Sequence, residues 1–117
     1  MSSYTKYTPS TEARTELHDR LSLTGAEISI NNLPAGGCVP FVHAHKENEE
    51  IYYILSGKGR AVIEDEAVEL SKGDWLMIPP ASRRQLYASK EEGISYICIQ
   101  VKSGSLSAYT AEDAIAC

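Results

Sequence analysis

Long apolar runs are missing from this chain of 117 residues. No uninterrupted stretch approaches the roughly 20 residues that cross a bilayer as a helix. The opening Met1-Ser-Ser-Tyr-Thr-Lys-Tyr-Thr also lacks the apolar core of a secretory signal, so the expected compartment is the cytoplasm. Basic clusters are missing too. The 11 Lys and Arg are outnumbered by 16 Asp and Glu, leaving a net charge of −5, and the densest basic group is Arg83-Arg84. An acidic chain without a basic stripe has no footprint for phosphate backbones, which argues against nucleic acid as a partner. Cysteine is scarce: Cys38, Cys98 and Cys117 are odd in number and far apart. That excludes a disulfide framework and a zinc knuckle, both of which need paired spacings. Cys38 and Cys98 are expected to be buried small residues and Cys117 a frayed end. Repeats and low-complexity segments are absent.

What remains is ordinary globular material, 43% hydrophobic and 23% charged, of a length that suits a single domain. Residues 1–25 are polar, and the spacing of Ala13, Leu17 and Leu21 suggests a short helix there. From Ala26 the texture becomes short β-type runs broken by turn residues. Strands are expected near Glu27–Asn31, Val39–His45, Ile51–Ser56, Arg60–Glu64, Ala67–Leu70, Asp74–Ile78, Arg84–Ala88 and Ile94–Val101. Gly57-Lys-Gly59 and Glu64-Asp-Glu66 read as hairpin connections. Tyr109–Ile115 suggests a terminal helical turn capped by Thr110. Many short strands about ten residues apart indicate an all-β sandwich or barrel. The organisation expected is an extension over 1–25, a β body over 26–103 and a tail over 104–117.

Histidine is rare, yet two of the three lie at His43 and His45. On a strand, residues i and i+2 project from one face, so both imidazoles can meet at one point. Glu50 follows, at the start of the run Ile51-Tyr-Tyr-Ile-Leu55, and alternation puts Glu50, Tyr52 and Ile54 on one face. Two neutral imidazoles and a carboxylate suit a divalent metal such as zinc, iron, nickel or manganese. Lone histidines and Glu-rich loops are also common without a metal. His18, with no companion nearby, reads as a surface residue.

This spacing resembles the first motif of the cupin family: Gly37, five residues, His43-Ala-His45, four residues, Glu50, six residues, Gly57. Gly73-Asp-Trp-Leu-Met-Ile-Pro79 resembles the opening of the second. The resemblance covers about Gly37 to Gln100. It implies a jelly-roll double-stranded β-helix barrel, a metal in its mouth held by three His and one Glu, and a homodimer. The second motif departs from the family where the fourth ligand belongs. Counted from Pro79, that position holds Arg84, which has no lone pair to offer. Counted from Pro80 it holds Gln85, whose amide oxygen can coordinate. Three outcomes stay open: Gln85 completes the set, water or substrate holds the fourth position, or Arg84 points inward and favours an anion. Arg83 reads as a solvent-facing residue.

Alternation extends the expected lining to Phe41, beside His43 and His45, to Tyr87 if Gln85 faces inward, and to Tyr96, Cys98 and Gln100 on the last strand. Trp75 is expected in the core or at a subunit interface. The substrate would then meet Arg84, Phe41, Tyr52 and Gln100, with Tyr52 or Tyr87 as proton donor. Two functions fit this reading. One is a metal-dependent isomerase, lyase or dioxygenase acting on a small anionic or oxygen-rich molecule. The other is a module that binds or senses such a molecule without turnover.

Overall fold

The structure, a computed structural model, describes residues 3–109 and 111–117. Its regular structure is almost entirely strand: β1 (Arg14–Glu16), β2 (Glu27–Leu33), β3 (Asn48–Ile63), β4 (Glu66–Ser71), β5 (Trp75–Ile78), β6 (Arg84–Ala88) and β7 (Ile94–Lys102), with one short helix, α1 (Leu17–Leu21). Every pairing is antiparallel. One sheet runs β1-β2-β7-β3-β5, and the second sets the far half of β3 between β4 and β6. The inward face of both sheets forms one core, in which Ile54, Ala61, Ile78, Leu86, Ile94 and Tyr96 are all buried.

The long strand β3 organises the barrel. Two strands joined by a hairpin at Gly57-Lys-Gly59 are expected from the sequence, but the backbone stays paired through all of it. Its first half pairs with β7 and β5, and its second half with β4 and β6. The change of sheet follows a bulge between Ile54 and Ser56, the device that bends and twists a strand. Gly57 takes φ 82°, and a Cβ there would lie 1.9 Å from Gly93 O, so only glycine fits. The expected hairpin after Ile63 is present. Ile63 pairs with Glu66, and Glu64 and Asp65 both have positive φ, at 46° and 70°, as a two-residue turn between twisted strands requires.

Four other expectations are corrected. The segment Val39–His45 forms no regular strand; it runs beside β6 through isolated bridges at Cys38–Tyr87 and His43–Arg84, because Pro40 has no N–H for a ladder. Residues 14–16 form β1, and helix begins only at Leu17. At the other end, residues 111–113 make a turn and no helix, while Thr110, the expected cap, lies outside the described residues. Cys38 is exposed, whereas Cys98 is buried. Among the described residues no helix is long and apolar enough to cross a membrane.

The outer face of the first sheet is unusually apolar. Register aligns Ile30, Ile97, Tyr53 and Trp75 in one cross-strand row, and Ile28, Ile99, Ile51 and Met77 in the next. None of the eight is fully buried. Trp75 is 65% exposed, which removes it from the core, and it stacks on Tyr53 at 4.3 Å between ring centroids.

Candidate functional site

Three elements converge on one end of the barrel. The 38–45 segment brings in His43 and His45, β3 brings in Glu50 and Tyr52, and β6 brings in Arg84. His43 and Arg84 exchange both backbone hydrogen bonds, at 3.1 and 2.9 Å, so the two face each other across the ladder with side chains on one side. Donor atoms of His43, His45 and Glu50 lie within 4.8 Å of one another. The imidazoles stand edge to face, 5.2 Å apart. The site opens into a cavity of about 310 Å³, walled by Val39, Phe41, Tyr96 and Cys98 and carrying Gln100 and Asn31 as polar handles.

Glu50 is the hub of this arrangement and is only 2% exposed. Its Oε1 accepts from the Tyr52 hydroxyl and from Arg84 Nη1, the latter at 2.9 Å. Its Oε2 lies 3.0 Å from His45 Nε2. Burial alone would raise the pKa of this carboxyl. The Tyr52 hydrogen bond, then the Arg84 charge and His45, outweigh burial and hold it below the usual carboxylate range. Burial pushes the Tyr52 phenol and the Cys98 thiol up, and the Glu50 charge adds to both. Both groups therefore keep their protons, and Tyr52 acts as a donor that positions Glu50. Burial also lowers His43, despite the opposing pull of Glu50, which favours the neutral imidazole that a metal needs.

Arg84 faces inward and is fully buried. Its remaining donors go to Ser82 O at 3.0 Å and Pro79 O at 3.3 Å. A substrate cannot reach it, so the substrate-binding role expected for Arg84 gives way to a neutralising role toward Glu50. Gln85 does not join the cluster. Alternation along β6 turns Arg84, Leu86 and Ala88 inward and leaves Gln85 and Tyr87 on the opposite face. There Gln85 donates to Val39 O at 2.7 Å and accepts from the Tyr87 hydroxyl at 2.8 Å. Tyr87 lies under Arg60, so neither its expected role as proton donor nor the ligand role of Gln85 is met. Phe41 and Gln100 do line the cavity. Arg83 pairs with Glu64 at the surface, and His18 with Asp19.

Three wall residues were not expected: Arg14, Asn31 and Val39. The alternation Ile28-Ser-Ile-Asn31 carries a signal for the second, but it invites the opposite reading, with isoleucines inside. The structure buries Ser29 and Asn31, at 1% and 5% exposure. Nothing in the polar stretch around Arg14 marks it.

The cupin domain family matches residues 30–100 of the chain. The chain belongs to the cupin family. A cupin protein from Bacteroides fragilis is 56% identical and superposes with a TM-score of 0.96, over 99% of this cupin and 98% of that chain. An uncharacterized protein of Methanocaldococcus jannaschii is 34% identical over 77 residues, 66% of this chain. This cupin spans only 58% of that relative's length. A Cupin 2 conserved barrel domain protein from Salinispora arenicola, 21% identical, shares the fold with a TM-score of 0.68 over 77% of this chain and 75% of its own.

Cupins often carry a metal, and the donor set here suits one. Two imidazoles and a carboxylate are the three protein ligands of an open catalytic site. His43 Nδ1 is moreover a buried polar atom with no hydrogen-bond partner among the described residues. Arg84 is the discordant member. It cancels the charge of Glu50, so a divalent ion entering the cup meets no net negative charge.

Proposed function

We propose that this cupin holds a divalent ion through His43, His45 and Glu50 and binds a small anionic, oxygen-rich molecule beside it. The observation that carries this reading is the buried Arg84–Glu50 ion pair next to the imidazoles of His43 and His45. Because that ion pair is neutral, a divalent ion added to the cup would leave its charge uncompensated, which is costly away from water, and an anionic ligand supplies the missing compensation. An ion bound there supplies Lewis acidity toward a carboxylate or carbonyl oxygen, the chemistry of isomerases and lyases. Arg84 fixes Glu50 Oε1 and leaves Oε2 toward His45. Tyr52 holds its proton on Glu50, while Val39, Phe41 and Tyr96 limit water.

A second reading is favoured by one feature. Tyr52, Cys98 and Arg84 are all tied to Glu50, which leaves no free acid or base among them, as in a module that binds its ligand without turnover. Metal analysis by plasma mass spectrometry on untagged protein tests the ion. Near-stoichiometric zinc, iron, nickel or manganese, lost in His45→Ala, is the expected result. No metal in either protein after incubation with each of the four ions would overturn the metal reading and leave the binding module.

We also infer that a second copy of the chain covers the outer face of the first sheet. Two registered rows of apolar side chains form a contiguous patch of the kind that marks interfaces. Sheets pack face to face through such rows.

A further inference from the structure

Strand β1 lies wholly outside the residues that carry the family match, and it adds a charge to the cup. Register sets Arg14 opposite Asn31 and Glu16 opposite Ser29, and directly opposed residues share a face of the sheet. Ser29 and Asn31 are the buried, inward residues of β2, so Arg14 stands on the cavity side. Its Nη1 donates to Asn31 Oδ1 at 2.9 Å, and Asn31 Nδ2 donates in turn to Ser29 Oγ at 2.9 Å. A buried relay thus anchors one edge of the guanidinium. Nε donates to Glu16 Oε1 at 3.2 Å on the exposed rim. Nη2 makes no hydrogen bond among the described residues.

The charge balance gives the position its meaning. Of the residues on the cavity wall, only Arg14 and Glu50 carry full charges apart from the histidines, and Arg84 cancels Glu50. Glu16 shares that face and offsets part of Arg14, but with side chains 49% and 60% exposed the pair is strongly screened. A guanidinium with Nη2 uncommitted at the mouth of a neutralised cup offers a carboxylate a charge-assisted hydrogen bond.

We propose that Arg14 is the specificity-determining residue that receives the ligand's carboxylate, so that the cup selects small carboxylic acids over neutral oxygen-rich molecules. The assignment rests on the anion half of the proposed function and does not need the metal.

Calorimetric titration of the full chain with acetate, malonate and succinate, with malonamide as the neutral counterpart, tests it both metal-free and with Mn²⁺. At least one acid is expected to bind, and malonamide more weakly. Arg14→Gln should weaken that acid about tenfold or more, the scale of a charge-assisted pair, with Arg14→Lys recovering only part of the loss. Melting of the ligand-free variants exposes any folding defect. Should Arg14→Gln melt early, Arg14→Lys, which keeps the charge but not the fork, is read in its place. Equal acid affinity in wild type and variant overturns the role of Arg14 while the anion reading stands. An equal loss for malonamide and acid overturns the charge recognition. No acid bound by the wild type sinks both.

Discussion

Arg84 is where the sequence allowed two registers and the backbone chose one. The second cupin motif runs Pro-x-Gly-x-x-His, and counting from Pro79 sets Ala81 at its glycine; Ala81 has φ 72°, the left-handed conformation that glycine adopts most easily. The same register sets Arg84 at the fourth-ligand position, opposite His43. Gln85 then falls one residue out of phase, and period-2 alternation turns it away. The His43, His45 and Glu50 cluster was legible because chemistry and spacing agreed. The occupant of the fourth position was not, because a one-residue ambiguity in a loop inverts the face of every residue after it. Arg84→His removes the fixed cation and restores a donor, so metal affinity should rise about tenfold or more in chelator competition. In metal-free protein the same change leaves Glu50 without its cationic partner. That loss should lower stability in urea by about 3 kcal/mol, and added metal should restore part of it.

At the scale of elements, β3 shows how punctuation can be read correctly and interpreted wrongly. Gly57 and Gly59 mark a change of direction, as expected, but the chain bends instead of reversing. Thirteen residues separate Glu50 from Ile63, about 43 Å of straight strand. Yet Arg84, the partner of Ile63, touches Glu50 at 2.9 Å. Only a strand folded over near its middle can do this, and Gly57 lies seven residues from Glu50 and six from Ile63. Gly57→Ala would drive a methyl into Gly93 O at the fold point. A loss of about 3 kcal/mol or more is expected in chemical denaturation, with metal uptake falling in parallel as Glu50 and Arg84 separate. Strand β1 escaped the sequence reading for a different reason. Three polar residues have no periodicity to detect, and their pairing comes from the edge that β2 offers.

For the molecule as a whole, β class and barrel were legible from strand spacing, and so were the inward faces of β3 and β7, while the inward face of β2 was not. Ile28 and Ile30 look like core residues, yet they stand in the outer rows with Ile97, Ile99 and Trp75. If a second copy covers them, wild-type protein should scatter light at twice the chain mass. Ile99→Lys in the middle of the patch should then shift it to monomer with the cup still able to bind ligand. A monomeric wild type would remove the proposed pairing. The sheet that makes this face also makes the cup, with the two sets of residues interleaved: Tyr96, Cys98 and Gln100 inside, Ile97, Ile99 and Val101 outside. A slip of β7 by one residue against β3 would exchange them. The ligand would meet a wall of isoleucine, and solvent would meet the tyrosine and the thiol. The polarity of the cup is thus a property of strand register, and the bulge at Ile54 and Ser56 that turns β3 also serves as the catch that prevents the slip.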